Sequence, residues 1–234
     1  MATERYIPEI LVHVDHTALS RNAKATDILQ LCKEANIVRA ASVCVPPCYV
    51  ALAKKYVSDC VKVCTVIGFP NGYNTTAVKV FEAEDAIRNG ADEIDMVVNL
   101  SMVKDGCWGE VARDISAVRS ATAGRILKVI IECCLLTEEE KLQLCRIVSD
   151  CGADFIKTST GFSTGGATRE DVELMRANCP VTVKVKAAGG ISSLQDAEDF
   201  INLGAERLGT SRIVKLAIAQ EQQAEPAAAP EGSY

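Results

Sequence analysis

Eight short β-rich runs, each followed by a segment of helix length, set the tightest limit on how this chain can fold. The runs are LVHVD (11–15), ASVCV (41–45), VKVCTVI (61–67), EIDMVVN (93–99), ILKVIIE (126–132), DFIKTS (154–159), VTVKVKA (181–187) and RLGTS (207–211). The segments 27–35, 47–57, 76–89, 110–122, 138–151, 168–177, 193–203 and 211–222 read as helices. Thr137 stands three residues before Glu140 as in a capping box, and Asn89-Gly90 and Cys151-Gly152 are helix-closing pairs. Such alternation builds a parallel sheet through crossover helices. Eight units in 234 residues predict an α/β fold of the closed (β/α)8 TIM-barrel type. An open doubly wound sheet competes poorly, because no run is followed by Gly-x-Gly-x-x-Gly. No internal stretch rich in Pro, Gly or Ser divides the chain, so 1–223 is expected to be one domain and 224–234, AEPAAAPEGSY, a flexible tail.

Composition narrows the function. A net charge of -6 and a pI near 5.1 leave no partner surface for nucleic acid or for an anionic membrane. There is neither a basic head with an apolar stretch at the start nor an uncharged segment of membrane-spanning length, so a soluble, cytoplasmic protein is expected. Eleven cysteines, an odd number, then read as reduced thiols. With two histidines and no paired Cys-x-x-Cys at a zinc-like distance, no metal is expected.

The chemistry lies at the strand ends. Lys157 in FIKTSTG and Lys186 in VKVKAAGG each end an apolar run that opens into a glycine-bearing loop. On neighbouring parallel strands their ammonium groups converge, each making the other easier to deprotonate, which prepares a lysine nucleophile for a carbonyl substrate and a Schiff base. Residues two apart on a strand share a face, and a barrel's site lies at the C-terminal mouth. Asp95, Lys128 and Lys157 then face inward as one compensated network, with Asp15 as a fourth member. Lys184 shares parity with Lys186, but Lys186 is nearer the mouth and Lys184 either deeper or turned outward. His16 is expected to face the helices and His13 the barrel, deeper; Cys44 reads mainly as packing. Three small turns, Thr160-Gly161 with Gly165-Gly166, Gly189-Gly190 and Gly209-Thr210-Ser211, fall in the late loops, where backbone amides and a helix N-terminus suit a phosphate.

These residues resemble the class I deoxyribose-phosphate aldolase family. The matching stretches include VDHTAL (14–19), VKVCTVIGFPNGYNTTAVKVFEA (61–83), NGADEIDMVVN (89–99), LKVIIE (127–132), GADFIKTSTGFSTGGAT (152–168), VKAAGG (185–190) and LGTS (208–211). The resemblance implies reversible cleavage of 2-deoxy-D-ribose 5-phosphate to acetaldehyde and D-glyceraldehyde 3-phosphate, with no cofactor. By the same resemblance Lys157 is the Schiff-base lysine, Lys186 the neighbour that lowers its pKa, Asp95 the proton-transfer residue and Lys128 a supporting lysine. Asp15 and Thr17 lie near the substrate or the proton relay, Cys44 near the substrate, and Thr160, Gly161, Gly189, Gly190, Gly209, Thr210 and Ser211 around its phosphate. Tyr234 is similar to a C-terminal tyrosine that assists proton transfer in some members. Pro46, Lys184 and the segment 99–110 depart from the family pattern without removing a catalytic group.

Rival readings are a Schiff-base transaldolase or dehydratase on the same barrel, and a phosphosugar-binding barrel without turnover. The outer surface leaves room for a homodimer, although no helix shows an apolar stripe separable from barrel packing.

Overall fold

Apolar, β-branched runs bounded by turns become strands here because each has two faces to bury, one against helices and one inside a barrel. The computed structural model describes residues 6–224. Its strands are β1 (Val14–Thr17), β2 (Ser42–Val45), β3 (Lys62–Ile67), β4 (Glu93–Val97), β5 (Ile126–Ile130), β6 (Phe155–Lys157), β7 (Lys184–Ala188) and β8 (Ala205–Thr210). All pair in parallel in sequence order, and β1 returns to β8 through Val14↔Leu208 and Asp15↔Gly209, closing the barrel.

The helices are α1 (Ile7–Leu11), α2 (Ala25–Val38), α3 (Val50–Tyr56), α4 (Thr76–Arg88), α5 (Leu100–Lys104), α6 (Trp108–Ala121), α7 (Glu138–Asp150), α8 (Arg169–Asn178), α9 (Leu194–Asn202) and α10 (Ile213–Ala224). Local chemistry sets several of their ends. The Thr137 hydroxyl accepts from the Glu140 amide while the Glu140 carboxylate accepts from the Thr137 amide, and Ser193 and Asp196 do the same for α9. Gly90 and Gly152, at φ 105 and 71, close α4 and α7.

The first strand starts at Val14 rather than at Leu11, because Ile7–Leu11 is a short helix with Pro8 in its first turn. Residues 99–110 are also partly helical. The Asn99 side chain accepts from the Met102 amide and starts α5, so the unusual sequence there builds an extra turn before α6. The segment 47–57 divides into a 3-10 turn (Pro47–Tyr49) and α3.

The main apolar core fills the space between strands and helices, with Ile94, Met96, Leu127, Val129, Ile156 and Val185 fully buried on the outward strand faces. A buried ion pair crosses it. Lys79 on α4 reaches Asp114 on α6 at 2.6 Å and donates to the Val97 carbonyl at 2.9 Å, tying two helices to the end of β4. The inward faces mix buried charges with apolar residues such as Val97, Ile130 and Phe155, and among the described residues no helix is long and apolar enough to cross a membrane.

Candidate active site

Strand register alone brings the inward charges together. Asp95 is the register partner of Lys128, and Lys157 of Lys186. Asp95 is the hub: its Oδ2 lies 2.8 Å from Lys157 Nζ and 2.8 Å from Lys186 Nζ, and its Oδ1 lies 2.9 Å from Lys128 Nζ. Lys186 Nζ also lies 2.5 Å from Asp15 Oδ2. Asp15, Asp95, Lys128 and Lys186 are sealed from solvent; Lys157 keeps 3% of its surface, at the base of the mouth. Thr17 donates its hydroxyl to the Asp15 carbonyl at 2.8 Å and faces the cavity above.

Two further members of the network were not singled out from the sequence. Arg207 grips Glu93 through Nη2–Oε1 at 2.8 Å and Nη1–Oε2 at 3.0 Å, and its Nη1 lies 2.5 Å from Asp15 Oδ1. Glu93 Oε2 in turn lies 2.5 Å from Lys128 Nζ. Glu93 has the parity of Asp95 on β4, so the alternation contained the signal; Arg207 opens the RLGTS run, where an arginine reads as a strand flank. Phe155 floors the cluster, with Lys128, Lys184 and Arg207 at 6.0, 5.8 and 5.7 Å from its ring centre.

Four cations therefore share three carboxylates. The sharing is uneven: Lys128 is held by Glu93 and Asp95, Lys186 by Asp15 and Asp95, Arg207 by Asp15 and Glu93, and Lys157 by Asp95 alone. Burial favours a neutral Asp95, but Lys128, Lys157 and Lys186 outweigh it and hold the carboxyl well below its usual range. Burial likewise opposes charge on Asp15, and Lys186, Arg207 and Lys128 reverse the balance. For Lys186 the sign differs from the sequence expectation that paired lysines would each be easier to deprotonate. Burial does disfavour its charge, but the Asp15 and Asp95 carboxylates raise its pKa and keep it a cation.

Above Lys157 opens a cavity of about 670 Å³ whose wall includes Thr17, Thr160, Gly161, Gly189, Gly190, Gly209, Thr210 and Ser211. Gly161, Gly189 and Gly190 adopt φ of 84, 83 and 79, which side-chain-bearing residues rarely reach. Gly209 makes room for Lys186, since a Cβ there would lie 3.2 Å from Lys186 Cε and 2.9 Å from Ala188 Cβ. Glu132, buried at φ 57, braces the wall by accepting the Thr160 amide at 3.0 Å and the Thr160 hydroxyl at 2.5 Å. Arg212 and Lys215 also line this end, beside the start of α10. They supply the charge that the glycine turns lack, and the R-x-x-K spacing after Ser211 was the available signal.

Other candidates stand apart. Cys44 is buried with Cys64 and Val66 beneath Leu19 and Phe69, and is not part of the cavity wall. His16 does face the helices, with Nε2 at 2.7 Å from Glu34 Oε2. His13 precedes β1 and donates Nδ1–H to the Glu206 carbonyl at 3.0 Å, because the strand starts later than expected. Lys184 is half-exposed at the far end of β7, 3.5 Å from Glu206, with a register shift between Val185 and Lys186. Tyr234 lies outside the described residues.

Among the described residues two buried groups have donor atoms close enough for a metal, Cys44 with Cys64 and Asp95, and Asp15 with Cys64 and Glu93. Neither donor set fits one. Lys128 Nζ already lies 3.3 Å from Cys64 Sγ, ammonium groups take both Asp95 oxygens, and burial pushes the Cys64 thiol up, away from the thiolate a metal needs.

This lysine-and-carboxylate barrel has relatives. The deoxyribose-phosphate aldolase of Streptococcus pyogenes is 57% identical over 210 residues, covering 90% of this chain and 94% of that protein. That of Streptococcus agalactiae is 55% identical over 228 residues, covering 97% and 99%. The solved tetrameric deoxyribose phosphate aldolase from Aeropyrum pernix superposes with a TM-score of 0.85 at 32% identity, over 93% of each chain. A model of the DeoC/LacD family aldolases matches residues 9–206, from the helix before β1 into β8. That span carries all three inward lysines and all three carboxylates, and the chain belongs to the DeoC/LacD aldolase family.

Proposed function

We propose that the protein catalyses reversible cleavage of 2-deoxy-D-ribose 5-phosphate to acetaldehyde and D-glyceraldehyde 3-phosphate, with Lys157 as the Schiff-base lysine. One observation carries the reading: of three inward lysines, Lys157 alone has a single carboxylate partner and alone reaches the cavity. Nucleophilic attack requires an unprotonated amine, and a cluster with a cation in excess is relieved when a lysine gives up its proton.

In the cleavage direction Lys157 Nζ adds to the C1 aldehyde, and loss of water gives an iminium. The C3 hydroxyl gives up its proton, the C2–C3 bond breaks toward the iminium, and glyceraldehyde 3-phosphate leaves an enamine on Lys157. Protonation at C2 and hydrolysis release acetaldehyde. Asp95, ionised and 2.8 Å from Nζ, is suited to accept and return the nitrogen's protons, with Thr17 nearer the carbon chain. Lys186, held as a cation by Asp15 and Asp95, contributes fixed positive charge beside the reacting nitrogen. The iminium is the electron sink of the scheme. At the other end of the cavity the glycine turns, Thr210, Ser211, Arg212 and Lys215 suit the substrate phosphate.

A single domain over 1–223 and self-association as a homodimer complete the proposal; the tetrameric state of the Aeropyrum pernix relative supports association of some order. The test is release of glyceraldehyde 3-phosphate from 2-deoxyribose 5-phosphate, read through a coupled dehydrogenase. Wild type is expected to turn over and Lys157→Arg to lose at least about three orders of magnitude. Folded wild type that binds the sugar phosphate and releases nothing would contradict the proposal.

A further inference from the structure

Arg207 touches neither the cavity nor Lys157, yet it is the charge that unbalances the cluster. A guanidinium keeps its proton at every working pH, whereas a lysine does not. Here its contacts reinforce that: burial opposes the charge, but Asp15 and Glu93 overcome it. With Arg207 fixed as a cation, Lys128, Lys157 and Lys186 face three carboxylates that Arg207 already partly uses. Without it, three lysines and three carboxylates would balance with every lysine protonated. The uneven sharing then decides which lysine gives way, since Lys128 and Lys186 each hold two carboxylates within 3 Å and Lys157 holds one.

We propose that Arg207 is a positioning residue for the nucleophile, occupying Asp15 and Glu93 from the floor of the barrel so that the excess positive charge falls on Lys157. The inference rests on Lys157 being the Schiff-base lysine. The titratable groups inside the barrel around that amine are Asp95 and Glu93 on β4, Lys128 on β5, Lys186 on β7, Arg207 on β8, Asp15 on β1, and the thiols of Cys44 and Cys64 on β2 and β3, with Arg212 and Lys215 lining the cavity above and Glu132 buried behind Thr160. Of the cations below the rim, only Arg207 is unable to release a proton itself.

Charge counting gives a test that a purely structural role would fail. Arg207→Met removes one cation and balances the cluster; Glu93→Gln removes one anion and increases the excess; the double variant removes both and restores an excess of one. The readout is the rate of covalent trapping of acetaldehyde on Lys157 by cyanoborohydride, measured across pH by intact mass and peptide mapping. The acid limb of that profile is expected to move up by about one pH unit in Arg207→Met, about tenfold slower trapping on the limb, and down by a similar amount in Glu93→Gln. The double variant is expected to return to the wild-type limb, and Arg207→Lys to stay near it. Single variants that shift the limb the same way, or a double variant whose limb stays displaced from wild type by as much as either single variant's, would overturn the role of Arg207. Should Arg207→Met lose its far-UV signal, Glu93→Gln and the double variant decide alone, because their limbs must still differ by about one unit. Wild type without any Lys157 adduct would remove the nucleophile itself, whereas adducts in every variant with an unmoved limb remove only the inference.

Discussion

Replacing Asp95 by Asn is expected to destabilise the protein before it affects anything else. The carboxylate is fully buried and receives three ammonium groups within 3 Å, at 2.8, 2.8 and 2.9 Å. Taking away one partner of a buried ion pair costs about 3–5 kcal/mol, because the remaining charge stays desolvated. Proton release from the surviving lysines absorbs part of the larger cost of three broken pairs, so the expected loss stays near that range, or about 6–20 °C in Tm for a domain of this size. The pH dependence follows from linkage. Asp95 is held well below 3.8, so its contribution is fully present above the unfolded value and is lost only as pH falls through the folded one. Urea unfolding of wild type and Asp95→Asn should therefore show a difference that does not narrow from pH 8 to about pH 5, since lysines that release protons in the folded variant are penalised further as pH falls, and that narrows only below about pH 4. Asp85→Asn is the control, since its pair with Arg88 is exposed on both sides and should change stability by about 0.5 kcal/mol or less. A difference for Asp95→Asn below about 1 kcal/mol at pH 7, or one that disappears between pH 7 and 5, would refute the reasoning.

Three other expectations concern the scaffold and the phosphate end. Lys79→Met leaves Asp114 buried without its cation and should cost about 3–5 kcal/mol in urea unfolding, whereas Lys79→Met with Asp114→Leu should recover most of that loss. Gly166→Ala puts a Cβ 2.5 Å from the Gly189 carbonyl carbon and oxygen, both backbone, so the two late loops must separate. Its KM for the phosphorylated sugar should rise about tenfold, equivalent to about 1.4 kcal/mol, while trapping of acetaldehyde on Lys157 stays at the wild-type rate. Arg212→Ala with Lys215→Ala should raise the same KM by a similar factor and leave acetaldehyde trapping intact; equal losses for both substrates would count against a phosphate role.

The parts of this architecture readable from sequence are those governed by short-range rules. Alternation and capping located eight strands and their helices, and two-residue parity put Asp95, Lys128, Lys157 and Lys186 on inward faces because a strand has only two. Glu93 and Arg207 escaped because each opens the run recognised in the sequence, where a charge looks like a flank until the pairing shows that it faces inward. Protonation was harder still. Two lysines on adjacent strands predict mutual weakening, but Asp15 and Asp95 lie between their charges, and only the three-dimensional arrangement shows that Lys186 is thereby held as the fixed cation. Local rules also missed α1, which shortened the first strand and moved His13 out of it.

The central claim is that one lysine among three becomes the nucleophile because of its share of the carboxylates. Its most direct test is intact-protein mass and peptide mapping after incubation with 2-deoxyribose 5-phosphate and borohydride, on wild type and Lys157→Arg. The account predicts one reduced adduct per chain, on Lys157, absent from the variant. An adduct on Lys186 or Lys128, or none in folded protein that binds the sugar phosphate, would contradict it.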